Sequence, residues 1–226
     1  MQSSEILEFE QDSINSENLH ILIDSVEEVS GECVKIIPSK GPSFFIRLSY
    51  LTSISSELIC AGQSFCDEKL DELLLAGYAF LAEREALNYL NRCEHSRFLL
   101  SQKLQKKGHS LEAIELAFDY LEGKNYLSDR RFAISWLRNR RITKSEGRTK
   151  LFQHLLSRGI SKSIAEEALD EFYEEFSEFT MLEKAYSKCL RQNLSQEKLE
   201  KKMISWGFSY SMIKNYQKSL SGEYNF

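Results

Sequence analysis

The chain has 226 residues, 42% of them hydrophobic and 28% charged, with a net charge of −5; this suits one or two folded domains and excludes wholesale disorder or a fibrous chain. No run of about 18 apolar residues occurs, so no spanning helix is expected, and the first twenty residues carry Glu5, Glu8, Glu10, Asp12 and Glu17 but no Lys or Arg, unlike a secretory leader, so the expected compartment is the cytoplasm. The five cysteines (Cys33, Cys60, Cys66, Cys93, Cys189) form no CxxC pair, which argues against a disulfide framework or a zinc ribbon.

In chain order, residues 1–18 read as an acidic tail. Three β-rich runs follow, Leu19–Ile23, Cys33–Ile37 and Phe44–Leu48, separated by turn-forming residues at 30–32 and 38–42. They predict a small antiparallel sheet. Short helical stretches are expected around 49–60 and from Asp67 onward, completing a small domain over 19–78. No proline occurs after Pro42, and the rest of the chain reads as helical.

That helical part contains an internal repeat. Gly108, Gly159 and Gly207 are spaced 51 and 48 residues apart. Four residues before each stands Leu104, Leu155 or Met203, and eight before stands Leu100, Leu151 or Leu199. Each unit is an amphipathic helix, a Gly stop and a second helix. Gly takes the left-handed position at a helix end, and Lys107 or Arg158 just before it suits the C-terminal dipole. Ser110, Ser163 and Ser209, or near neighbours, are the expected N-caps, Ser163 forming a capping box with Glu166. A third helix per unit is expected at 80–92, 129–141 and 178–191. The predicted fold is mainly α: three tandem three-helix repeats, elongated, at 79–128, 129–177 and 178–226, after the small β-containing N-terminal domain.

Charge is unevenly placed. Residues 1–80 are net −10, residues 81–165 net +8 and residues 166–226 net −3. Within 130–150, eight basic residues face one acid, Glu146. Such a field draws a polyanion or an acidic protein surface to the middle of the chain. The acidic run from Glu166 to Glu178 recurs at helical spacing and reads as a solvated helix face.

No phosphate-binding Gly loop, HExxH or GxSxG motif appears, and the four histidines are scattered. No enzyme activity, cofactor or metal is expected. In the segment 129–141, Phe132 and Trp136 share one helical face and anchor a core. Arg131 and Arg138 share another, and the arginines are expected to face out. Their forked guanidinium groups suit phosphate and carboxylate. The candidate contact residues are Arg130, Arg131, Arg138, Arg140, Arg141, Lys144, Arg148 and Lys150, with Lys103, Lys107 and Arg158 as a weaker extension.

Arg92-Cys-Glu-His-Ser-Arg-Phe-Leu-Leu-Ser-Gln-Lys-Leu-Gln-Lys-Lys-Gly108, then Leu121–Asp129, Arg131-Phe132-Ala133, Trp136, Leu155-Leu-Ser-Arg-Gly-Ile160 and Ala168-Leu169 resemble the RecX family of RecA regulators over about residues 85–220. A β-containing extension like 19–75 occurs in longer members. The resemblance implies tandem three-helix repeats and a non-enzymatic modulator that binds the groove of the RecA–DNA filament, inhibiting ATP hydrolysis and strand exchange, in homologous recombination, DNA repair and the SOS response. It carries over no catalytic residues. The acidic total charge fits a protein partner as the main target, with weak binding to bare single- or double-stranded DNA; no membrane partner is expected, and an elongated solenoid is expected to be a monomer. Two alternatives stay open: an independent single-strand nucleic-acid-binding protein using the same basic patch, and a helical-repeat scaffold for another protein.

Overall fold

A computed structural model describes residues 20–30, 32–192 and 194–221; the acidic stretch 1–18 lies outside them. The chain divides into two compact units between Leu81 and Ala82. Among the described residues, no helix is long and apolar enough to cross a membrane.

The first unit contains an antiparallel sheet of four strands, β1 (His20–Ser30), β2 (Cys33–Pro38), β3 (Phe44–Arg47) and β4 (Ser64–Cys66), in the order β3-β2-β1-β4. The sequence predicts three of them. The fourth is only three residues long and pairs with the start of β1, His20 opposite Cys66 and Leu22 opposite Ser64; nothing so short shows a periodicity. A register shift between Ile23 and Ser25 then passes β1 on to β2. Alternate residues Val34 and Ile36 of β2 and Ile46 of β3 are buried, the period of two that a one-faced sheet requires.

Two single 3-10 turns, Leu48–Tyr50 and Ser56–Leu58, replace the helical stretch expected over 49–60. The reason is local. Thr52 and Ser53 give both their backbone N–H groups and their hydroxyls to the carboxylate of Glu72, an arrangement that competes with an i→i−4 ladder. Helix α1 (Asp67–Leu90) follows. Within this unit Gly77 admits the ring of Phe44, which a Cβ there would meet at 3.1 Å, and Phe80 stacks on Phe45 with centroids 5.6 Å apart.

The second unit holds the C-terminal turns of α1 and helices α2 (Arg97–Gln105), α3 (Leu111–Gly123), α4 (Asp129–Thr143), α5 (Arg148–Leu156), α6 (Lys162–Glu175), α7 (Glu178–Leu190), α8 (Gln196–Ser205) and α9 (Tyr210–Ser221). They form tandem three-helix repeats. The six repeat-defining apolar residues, Leu100, Leu104, Leu151, Leu155, Leu199 and Met203, are all 3% exposed or less. The first repeat has its own core around Leu100, Ile114, Phe118 and Leu121. The second and third share one continuous core, from Phe132 through Phe172 and Leu182 to Ile213.

The turn within each repeat is a Schellman stop. His109 N donates to Leu104 O, Ile160 N to Leu155 O and Phe208 N to Met203 O, while the preceding glycine donates one residue further on. Ser110 and Ser209 cap the following helices as expected. The middle cap is Ser161, which accepts from Ile164 N, and not Ser163. Residue 163 already lies within α6, so no capping box forms with Glu166; the Ser163 hydroxyl sits 3.2 Å from that of Ser161.

The turns also join the repeats. Ser96 Oγ, which caps α2, donates to the carbonyl of Arg158 at 2.7 Å, and a Cβ on Gly159 would fall 2.2 Å from Phe98 Cβ. One repeat further on, Gly147 N donates to Trp206 O at 2.9 Å, and a Cβ on Gly207 would fall 2.4 Å from Lys150 N. The Gly159 and Gly207 turns therefore dock on the start of the second helix of the preceding repeat.

Candidate functional site

Helix α4 organises the basic region. Ser128 caps it by accepting from Arg131 N. Asp129 stands in its first turn and accepts from Arg97 N at 2.8 Å; burial pushes its carboxyl up against the pull of that bond. Phe132, Ala133 and Leu137 are buried, so α4 turns its apolar stripe inward and its arginines away from the core.

Those arginines are not free. Arg130 pairs with Glu171, and Arg138 with Glu175 at 2.8 Å. From α5, Arg148 pairs with Asp170 at 2.6 Å. The acidic face of α6, which the sequence presents as merely solvated, is thus the partner of the basic face of α4 and α5. Arg131 does not face out as expected: it turns back to Glu94, to Asn125 and to the carbonyl of Tyr126, closing the α3–α4 connection. Exposed pairs of this kind contribute little and are screened by salt, so they mute the field without removing it.

Arg140 is held more firmly. It forks onto both oxygens of Glu146 at 2.7 and 2.8 Å. Glu146 is 9% exposed. Burial raises its carboxyl, but Arg140, with His154 and Lys150 nearby, outweighs burial and holds it below the usual carboxylate range. His154 is lowered, first by burial and then by the surrounding cations. Arg158 lies over the ring of Trp136 at 4.4 Å and donates to His154 O. Lys103 Nζ lies 2.6 Å from His95 Nε2, and Lys107 lies 3.5 Å from Glu85, both on the first repeat. Lys150 is half-buried beside the Gly207 turn.

What the fold brings together is a smaller set. Arg140, Arg141 and Lys144, at the end of α4 and in the connection to α5, line a cleft of about 320 Å³ with Lys184 and Lys188 of α7. Among the lining residues the sole carboxylate is Glu146, already bound to Arg140. Lys144, Lys184 and Lys188 are exposed. Arg141 sits over the Phe176 ring at 3.8 Å. Ile142, 76% exposed, and Trp206 of the α8–α9 turn complete the wall. Sequence reasoning missed Lys184 and Lys188. The signal was their i, i+4 spacing in the helix expected at 178–191, hidden by the net negative charge of that third of the chain.

Residues 82–121 match the first three-helix domain of RecX, and residues 128–169 match the second. The regulatory protein RecX of Treponema pallidum is 32% identical over 148 residues, 66% of this chain and 90% of that protein. The chain belongs to the RecX family. The regulatory protein RecX of Streptococcus gordonii is 29% identical over 171 residues, 74% of this chain and 66% of its own. A crystal structure of regulatory protein RecX superposes with a TM-score of 0.66 at 22% identity, covering 86% of this chain and 99% of that one. RecX from Lactobacillus salivarius gives 0.56 at 23% identity, covering 64% and 97%. Lys184 and Lys188 lie C-terminal to both matched RecX domains.

Proposed function

We propose that this chain regulates RecA recombinase, binding the RecA–DNA filament through the basic side of its second unit and lowering ATP hydrolysis and strand exchange. Membership of the RecX family, with two three-helix domains matched in order, is the observation that carries this reading. The charge distribution supports it. Arg138, Arg141, Lys144 and Arg148 lie on or beside a basic surface whose exposed ion pairs a denser polyanion can displace. Arg130 and Lys150 extend it; Arg131 and Arg140 shape it from beneath, being committed to internal partners.

On this reading the protein is a non-catalytic, monomeric, cytoplasmic partner of the filament, acting in recombinational DNA repair, and its grip on bare DNA is the weaker interaction. The test is strand exchange by RecA of the same organism, with the DNA held constant and the protein added before the homologous duplex. Product formation is expected to stop. Unchanged product yield with folded protein present would refute the reading.

A further inference from the structure

The cleft between the α4–α5 connection, α7 and α8 gathers five cations, Arg140, Arg141, Lys144, Lys184 and Lys188. On the neighbouring α4–α6 face Arg130, Arg138 and Arg148 pair with carboxylates of α6, and within the cleft Arg140 is held by Glu146. Lys144, Lys184 and Lys188 make no ion pair among the described residues, and the one carboxylate in the wall is already occupied. Three uncompensated ammonium groups around one cleft repel one another, an arrangement whose natural counterpart is an anion with more than one charge.

We propose that this cleft is a binding site for the backbone of single-stranded nucleic acid, with phosphates on Lys144, Lys184 and Lys188 and an unpaired base against Ile142 and Trp206. Lys184 and Lys188 are one helical turn apart, with Cβ atoms separated by about 5–6 Å, comparable to the step between neighbouring phosphates. Lysine binds phosphate as a point charge, whereas a carboxylate-reading site would use a free guanidinium fork. Here the fork of Arg140 is spent on Glu146, and Arg141 is laid on a ring. Ile142 is 76% exposed in a wall that five cations share. An apolar and an aromatic group in a cationic groove is the pattern that takes single strands, because stacked bases of a duplex cannot reach them. The site completes itself only with α7 and α8, which gives the third repeat a role. This rests on the filament reading for its purpose but not for its test.

The experiment is fluorescence polarisation of a labelled oligothymidylate with the full chain across a salt series. Replacing Lys144, Lys184 and Lys188 together by Ala is expected to weaken binding at least tenfold. The dependence of log affinity on log salt should flatten by about 2, since each lost phosphate contact on a single strand contributes about 0.7. Ile142→Ala should weaken binding without changing that slope. Lys106→Ala with Lys124→Ala and Lys162→Ala, a loss of three exposed charges outside the proposed contact surface, should change affinity far less, and circular dichroism of each variant checks the helical fold. The assignment is overturned if the wild type fails to bind at low salt, or if the lysine variant binds like the wild type. It is equally overturned if the Lys106, Lys124 and Lys162 variant loses as much. A lysine variant that binds the oligonucleotide normally but no longer slows RecA would assign the cleft to a protein surface instead. Normal loss of oligonucleotide binding alongside a wild type that leaves RecA untouched would keep the cleft and remove the filament role.

Discussion

Two carboxylates show how single residues hold the loops around the basic region and the sheet. Glu146 carries the α4–α5 connection through its forked bond to Arg140, with His154 3.7 Å away. Glu146→Ala leaves the half-buried Arg140 unpaired and is expected to cost about 2 kcal/mol, less than a fully buried pair because the guanidinium keeps some water. Urea unfolding measures it; a loss within error would show the pair to be ornamental. Glu72 does the same work in the first unit. Burial raises its carboxyl, but the hydrogen bonds from Ser53 and Thr52 prevail and bring it from 4.5 down to about 2. A carboxyl lowered by folding stabilises above its unfolded value and loses that contribution as pH falls. Stability of this unit should therefore decline between about pH 4.5 and 2, and Glu72→Gln should flatten the decline. An identical pH profile for the variant would contradict the assignment.

Among the elements, the Gly turns separate two physical demands that look alike in sequence. Gly108 and Gly159 share a left-handed backbone, φ +93° and +80°. A Cβ at Gly108 meets nothing within 4 Å, whereas one at Gly159 collides with Phe98. Gly108→Ala is expected to cost about 1 kcal/mol from backbone strain alone. Gly159→Ala should cost at least about 2 kcal/mol more, because the α5–α6 turn must lift from α2. Chemical denaturation of both variants decides it; equal losses would mean that the turn does not dock on the preceding repeat. The repeat itself was legible because helix stops and apolar spacing are local properties, carried by Gly and by Leu or Met at fixed offsets. The docking was not, since nothing near Gly159 in the chain announces Phe98, 61 residues earlier. The same holds for α6: its carboxylates read as a solvated face until the fold sets Glu171 against Arg130 and Glu175 against Arg138. Ser161 in place of Ser163 shows the finer limit, as two serines two residues apart offer the same chemistry, and only the helix start chooses between them.

Across the whole molecule, an acidic chain carries a basic region whose charge is partly spent internally. Weak exposed pairs set a threshold: a dilute anion leaves them intact, while a dense array of phosphates exchanges with them. Reversing two of the outward charges, Arg138→Glu with Arg141→Glu, should cripple regulation and leave the helical content intact, and full activity of that variant would misplace the contact surface. The most direct measurement is the DNA-dependent ATPase rate of RecA from the same organism, with this protein titrated in below one copy per RecA. A fall in rate at ratios far below one is expected, since a bound regulator affects a filament beyond the subunits it touches. An unchanged rate at every ratio would contradict the account.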